Sequence, residues 1–134
     1  MKKLREFKNA MTGIILGTLI LFSHGCVYVV VGTVGALGGY VVSPDTVEGV
    51  LTGKNSEEVW DASLQVISNM GLIREKNESG GVLLASVSGT KVTVTITSLS
   101  KTTAKLSVKA RKAFLPRIKT AQDVYIRIER ALYE

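Results

Sequence analysis

The strongest constraint on this chain is a long stretch without Asp, Glu, Lys or Arg, which runs from Asn9 to Pro44. Four basic residues and one acidic residue precede it. From Asp45 onward, charged and apolar residues are mixed as in an ordinary folded domain. Such a shift in composition separates a segment directed to a membrane from one that folds in water. The 134-residue chain therefore holds at most one folded domain, which we expect at 45–134.

The first 25 residues have the three parts of a secretory signal. A basic start, MKKLREFK, is followed by the apolar segment AMTGIILGTLILF and then by Ser23-His24-Gly25-Cys26. Positive charge keeps the start of the chain in the cytoplasm, while a short apolar helix enters the export machinery. The apolar segment is shorter than the roughly 20 residues that cross a bilayer. We therefore predict a signal peptide at 1–25, cleaved between Gly25 and Cys26.

The Gly25-Cys26 step resembles a lipobox, the cleavage motif of bacterial lipoproteins. The resemblance implies that Cys26 receives a diacylglyceryl group on its sulfur, becomes the new N-terminus and is then N-acylated, for example with palmitate. Two or three such chains anchor a protein stably, since each buried methylene contributes about 0.8 kcal/mol. Ser23 and His24 depart from the Leu and the Ala or Ser of a typical lipobox. The alternative is an uncleaved anchor formed by residues 10–42.

Cys26 is the only cysteine and His24 the only histidine. An internal disulfide is therefore excluded, and cleavage before Cys26 leaves the mature chain without a histidine. Catalysis by a Ser-His-Asp or Cys-His unit and most zinc sites need these residue types. The acids Glu57, Glu58 and Asp61 fall in the first turns of a predicted helix, where the helix dipole accounts for them. We therefore expect no enzymatic activity, no cofactor and no metal.

The formal net charge of +6 is no nucleic-acid signal, because four of the basic residues lie in the leader. Without residues 1–25 the chain has 13 basic and 10 acidic residues, a net charge of +3, and we expect no nucleic-acid partner. Between Glu78 and Asp123, however, there is no acidic residue. This region offers a candidate patch for an anionic partner, either a lipid headgroup or an acidic protein surface, formed by Lys105, Lys109, Arg111, Lys112 and Arg117. The alternative is that these cations keep an exposed sheet face and edge from aggregating.

The apolar stretch after the cysteine is rich in glycine. Gly35 and Gly39 are four residues apart and Gly32 is three before Gly35, so that a helix would place all three on one face. Close helix packing through that face, in a membrane-embedded oligomer, is one alternative. We predict instead that residues 26–44 form an apolar tether or interfacial helix beside the membrane, ended by Pro44.

Residues 45–134 have the patterns of a small α+β domain with two amphipathic helices. The first helix is predicted at 56–70 and has Asn55 as its N-cap. The second is predicted at about 120–133 and has Thr120 as its N-cap.

Segments with strand character surround the first helix, at 46–52, 72–76, 82–87, 91–97 and 104–111. In the last of these, Lys105, Lys109 and Arg111 share the outward face. Alternation of one apolar and one polar face is typical of an antiparallel sheet covered on a single side. We predict the order β-α-β-β-β-α, with both helices packed on one face of an antiparallel sheet.

Two aromatic residues receive opposite predictions. Trp60, the only tryptophan, lies beside Val59 on the apolar face of the first helix, and we expect it in the core rather than in a ligand site. Phe114 stands beside Pro116 in the run Arg111–Arg117, which sets two apolar residues among three cations. We expect Phe114 to be the exposed aromatic.

Three segments occur in order along the chain: GCVYVVVGTVGALGGY, NSEEVWDASLQVISNMGL, and GTKVTVTITSLS with TAKLSVKAR. With these and the closing helix, nearly the whole chain resembles a family of short bacterial lipoproteins classed as domain of unknown function 3568. The resemblance brings no catalytic residue and implies a periplasmic or cell-surface location. Val27, where an Asp would signal inner-membrane retention, favours the outer membrane if the envelope is Gram-negative. The expected function is that of a non-enzymatic envelope lipoprotein, a structural or interaction module that contacts membrane lipid through acylated Cys26. An envelope protein or anionic lipid is its other expected partner.

Overall fold

The structure, a computed structural model, describes residues 1–22, 32–33 and 39–134, and side chains for 1–15 and 40–134. It is a mixed α+β fold, as predicted, with three helices and an antiparallel sheet. The helices are α1 (Lys2–Phe22), α2 (Ser56–Met70) and α3 (Ile118–Tyr133). The strands are β1 (Gly32–Thr33), β2 (Gly39–Val42), β3 (Thr46–Thr52), β4 (Leu72–Asn77), β5 (Val82–Val87), β6 (Thr90–Ser100), β7 (Thr103–Lys112) and β8 (Leu115–Pro116).

The sheet has the strand order β1-β2-β3-β7-β6-β5-β4, and every neighbouring pair is antiparallel. The short strand β8 pairs with the end of β7. Strands β6 and β7 form the longest hairpin, which is in register from Lys91↔Arg111 to Ser100↔Thr103 with one irregularity. The predicted order β-α-β-β-β-α is wrong in its count. Two complete hairpins, β4–β5 and β6–β7, lie between α2 and α3, because each of the four alternating segments pairs as a strand of its own.

As predicted, α2 and α3 cover one face of the sheet. The two helices also pack on each other. The strands turn a continuous set of buried apolar side chains to this face: Val47, Leu51, Leu83, Ala85, Val87, Val92, Val94, Ile96, Ala104, Leu106, Val108 and Ala110. The helices complete the core with Val59, Trp60, Ile67, Ala121, Val124, Tyr125 and Ile128. Burial of this apolar surface is the main stabilising contribution to the domain.

The sheet begins earlier in the chain than the predicted domain boundary at residue 45. Strand β2 pairs with β3 in the register Tyr40↔Gly49 and Val42↔Val47, and β1 pairs with β2. The Tyr40 ring packs on Tyr125 of α3, with ring centroids 5.4 Å apart. Residues assigned to the tether from sequence therefore include part of the folded domain.

The alternative of a helix-packing face formed by glycines is not found at the described positions. Gly32 and Gly39 lie in strands β1 and β2, and Gly35 is outside the described residues. The physical reason is local: β-branched residues such as Thr33, Val41 and Val42 favour extended backbone, and the open edge of β3 offers it hydrogen-bond partners.

The two predicted N-caps have different outcomes. The Asn55 side chain accepts a hydrogen bond from the Glu58 backbone N–H at 2.8 Å, which confirms it as the cap of α2. Thr120 is not a cap, because α3 begins two residues before it, at Ile118, after Arg117. The Arg117 N–H donates to the Ala110 carbonyl at 2.9 Å, so the pairing next to β8, rather than a capping side chain, fixes where α3 starts.

Strand β4 is the terminal strand at one side of the sheet. Arg74, Glu75 and Lys76 are exposed on it, and a register shift interrupts its pairing between Ile73 and Glu75. Charged side chains and bulges of this kind discourage a second chain from adding to an open edge.

Candidate functional site

The predicted lipidation site, Ser23 to Cys26, lies outside the described residues. The described chain lies on both sides of it: α1 ends at Phe22, and β1 begins at Gly32. Gly32 is six positions after Cys26 in the sequence, and six residues reach at most about 20 Å. Lipid on Cys26 would therefore hold the β1–β2 side of the sheet close to a bilayer.

Helix α1 contains the basic start of the predicted leader and most of its apolar segment. Its described side chains are exposed. Among the residues that the structure describes, no helix has both the length and the apolar character to cross a membrane.

Strand direction shows from which end of the sheet β1 begins. Strand β1 is antiparallel to β2, which is antiparallel to β3, so β1 and β3 run in the same direction. Strand β3 begins next to the end of β7, where the Ala110 N–H donates to the Asp45 carbonyl at 3.0 Å. We call this end of the sheet, marked by Asp45 and Ala110, the proximal end. The chain enters β1 from the proximal side.

The candidate basic patch divides into two groups. Lys105 Nζ lies 2.6 Å from a carboxylate oxygen of Glu48, and Lys109 Nζ lies 3.6 Å from Asp45 Oδ2. Arg111 Nε donates to the same Asp45 oxygen at 2.6 Å. Three of the five predicted cations therefore face acidic partners on the neighbouring strand or the turn before it, which favours a structural role for them.

Lys112 and Arg117 form the second group. Both are exposed, and no acidic side chain lies within ion-pair distance of either one in the described part of the chain. They flank the turn between β7 and β8, beyond the reach of Asp45. The excess positive charge of the predicted patch is therefore concentrated at this turn.

Asp45 is the centre of the first group. The Thr46 hydroxyl donates to Asp45 Oδ1 at 2.9 Å, and the side chains of Arg111 and Lys109 both contact Asp45 Oδ2. The hydrogen bond from Thr46, together with the Arg111 guanidinium, holds the pKa of Asp45 below its ordinary value. This carboxylate joins the start of β3 to the end of β7.

We expect Asp45→Asn to lower the free energy of unfolding by about 1–2 kcal/mol at pH 7, because an amide cannot hold both cations. A carboxyl whose pKa is lower in the folded than in the unfolded chain stabilises above its ordinary pKa of about 4, and that stabilisation is lost as the pH falls through the folded value. The difference between wild type and Asp45→Asn, measured by urea denaturation, should therefore shrink as the pH falls through the folded-state pKa of Asp45. Glu48→Gln, which removes one more exposed pair, is the control and should cost less than about 1 kcal/mol. Equal costs for both variants, or a difference that persists in acid, would contradict this role.

The turn between β7 and β8 presents two apolar side chains to solvent. Lys112 pairs with Leu115 across it, and Ala113 has a positive φ of 55°. Phe114 is 93% exposed and Leu115 64% exposed, so the prediction of an exposed Phe114 is confirmed. We call residues 112–115 the hairpin tip. Because β8 occupies the place on β7 that β3 leaves free, the hairpin tip projects beyond Asp45 at the proximal end.

A cleft of about 440 Å³ lies at the other end, between the start of α2 and the β4–β5 turn. Trp60 contributes to its wall but is buried, as predicted for a core residue. Carboxylates and hydroxyls form its rim, including Glu57, Glu78 and Ser79. Within the described residues, His, Cys, Asp and Glu form no group of three that could hold a metal ion.

Comparisons with known proteins give no family. No family model matches the chain, and no curated protein matches it. The resemblance to domain of unknown function 3568 therefore stays a prediction, and functional assignment depends on the chain's own residues.

Proposed function

We propose that the protein is a non-enzymatic lipoprotein of the cell envelope, anchored by acyl chains on Cys26, whose α+β domain is a structural or interaction module. The observation that carries the proposal is the Gly25-Cys26 step placed after a basic start and a short apolar segment. Helix formation at α1, which ends at Phe22, is in keeping with this order of signal parts. In a Gram-negative envelope, the outer membrane is the proposed location.

The packing of the domain supports a binding or structural role. Its one covered sheet face is filled by apolar side chains, and its buried polar side chains in the described residues are Ser63 and Thr90. The Ser63 hydroxyl donates to the Val59 carbonyl at 2.7 Å within α2, so this hydroxyl is used in the helix itself. Glu58, an acid in the first turn of α2, is also used within the domain, because its Oε2 lies 3.3 Å from Lys54 Nζ.

Oligomerisation of a membrane helix through Gly32, Gly35 and Gly39 is not proposed. Gly32 and Gly39 lie in strands, where glycines three to four residues apart do not share a helix face.

The first test is intact mass and N-terminal sequencing of the protein from the membrane fraction of its native host. We expect a chain that starts at Cys26 and carries the added mass of acyl groups, and we expect Cys26→Ser to keep its leader and to lack that mass. Ser68→Ala, an exposed substitution on α2, is the control and should be processed like the wild type. A wild-type chain that starts at Met1 or Lys2 without lipid would overturn the proposal.

A further inference from the structure

We propose that the hairpin tip, together with Arg117 next to it, is a second membrane contact: Phe114 and Leu115 insert into the interfacial layer of an anionic bilayer, and Lys112 and Arg117 bind its phosphate headgroups. The inference rests on the proposed lipid anchor for the orientation of the domain. It assigns to residues 112–117 a role that the acyl chains do not supply, which is to fix which end of the sheet faces the membrane.

The first argument is exposure on a rigid support. Phe114 and Leu115 are adjacent, and both project from a hairpin whose two arms are hydrogen-bonded, in the register Arg111↔Pro116 and Lys112↔Leu115. The Arg117 N–H closes the base of the hairpin on the Ala110 carbonyl at 2.9 Å. An aromatic ring and a leucine side chain at the end of a hydrogen-bonded hairpin suit the boundary between headgroups and acyl chains, where the Phe and Leu side chains of interfacial segments are buried.

The second argument is the distribution of positive charge. Lys105, Lys109 and Arg111 face Glu48 or Asp45 and are partly neutralised. Lys112 and Arg117 have no such partner in the described chain, and they lie on either side of the apolar pair. Cations beside an exposed apolar pair match an anionic bilayer, which attracts basic groups at its surface and accepts apolar side chains just below it.

The third argument is position. The hairpin tip projects from the proximal end of the sheet, which is also the side from which the chain enters β1. Six residues from a lipidated Cys26 to Gly32 reach at most about 20 Å, so an acyl anchor would keep the start of β1 within that distance of the bilayer. The turn between β6 and β7 lies at the opposite end of the sheet. This end also has an exposed apolar residue, Leu99 near the end of β6, and an exposed cation, Lys101 in the turn, and so provides matched controls.

The experiment uses the full chain and places a tryptophan at one or the other end of the sheet. Phe114→Trp and Leu99→Trp are reconstituted into vesicles of equal parts phosphatidylglycerol and phosphatidylcholine, with and without bromine on the acyl chains. Trp60 is buried and contributes the same background to both variants. We expect brominated lipid to quench the added emission several-fold more at position 114 than at position 99.

Charge reversal tests the headgroup contact. In the Phe114→Trp background, Lys112→Glu with Arg117→Glu should reduce the quenching, as should vesicles of phosphatidylcholine alone. Lys101→Glu in the same background should leave it unchanged. Equal quenching at positions 114 and 99, or quenching that ignores the charge reversal, would overturn the proposal. An emission at 114 that no lipid quenches would also overturn it and would leave an acidic protein surface as the occupant to seek.

Failure of the anchor and failure of the hairpin tip are separate results. Vesicle flotation and intact mass of the same samples report the acyl anchor, whatever the tryptophan emission. A floating, acylated protein without quenching at 114 overturns the contact alone. Quenching at 114 in a protein without acyl mass supports the contact and overturns the proposed lipid anchor.

Discussion

Tyr125→Ala is expected to lower the free energy of unfolding by about 3–5 kcal/mol, as for other large aromatic side chains removed from a core. Tyr125 is 2% exposed on α3, and its ring packs on Tyr40. Below the ring lies Gly49 of β3, where a Cβ would overlap the Tyr125 hydroxyl oxygen. The side chain therefore joins α3, β2 and β3, and its loss would leave a cavity at the point where β2 attaches to the domain. Burial raises the pKa of the Tyr125 hydroxyl, so the hydroxyl is neutral near pH 7 and its ionisation does not contribute to the measured loss of stability.

Tyr133→Ala is the control for this prediction. Tyr133 lies on the same helix, is 41% exposed, and donates from its hydroxyl to the Thr52 carbonyl at 3.0 Å. Its loss should cost about 1 kcal/mol, the usual net contribution of one hydrogen bond. Urea denaturation followed by circular dichroism measures both variants. Similar losses for Tyr125→Ala and Tyr133→Ala would show that the contact of β2 with α3 carries little of the stability.

Gly81→Ala is expected to lower the free energy of unfolding by about 3 kcal/mol, through two separate penalties. The backbone at Gly81 has a positive φ of 66°, which a residue with a Cβ adopts at a cost of about 1–2 kcal/mol. A Cβ there would also overlap the Ile96 carbonyl oxygen. Neither group can easily move away, because the Ile96 N–H donates to the Gly81 carbonyl at 2.7 Å.

Gly89→Ala separates the two penalties. Gly89 has a φ of 74°, close to that of Gly81, but a Cβ at Gly89 meets no atom within 4 Å. It should therefore show the backbone penalty alone, about 1 kcal/mol. Thermal and urea unfolding of the two variants measure the difference. If Gly81→Ala is no less stable than Gly89→Ala, the close approach of the β4–β5 turn to β6 is not tight in solution.

The fold class could be predicted because its patterns are local. Alternation over 91–97 and 104–111 and the apolar face of 56–70 are visible within single segments, and they fixed the antiparallel sheet and the covered face. The beginning of the sheet could not be predicted in the same way. Gly39–Val42 is uniformly apolar in sequence, and only the open edge of β3 determines that it pairs as a strand. The start of α3 was missed for a similar reason, since the contact between Arg117 and Ala110 links two elements.

The acidic partners of the candidate patch could not be predicted either, because they are distant in the sequence. The sequence places Lys105, Lys109 and Arg111 on one strand face, and it contains no acid nearby along the chain. Their partners, Asp45 and Glu48, are about 60 residues away and meet them only through the pairing of β3 with β7. Alternation of Glu48 with buried Val47 was the one available signal that an acid would share the outward face. The exposure of Phe114, by contrast, followed from its place in a loop beside Pro116.

The charged edge at β4 has a consequence for how many copies one membrane can hold. Molecules anchored to one bilayer, as proposed, are confined to a thin layer with a common orientation, and so they collide side by side at a high effective concentration. When sheets are aligned in this way, an uncharged edge strand without a bulge could pair with the edge strand of a neighbour, and the molecules would then polymerise into ribbons. On β4, the bulge would put the backbone groups of two pairing edges out of register. Pairing would also remove water from the charged side chains of Arg74, Glu75 and Lys76. Strand β4, at the edge of the sheet, would therefore allow many separate molecules to lie side by side on one membrane without polymerising.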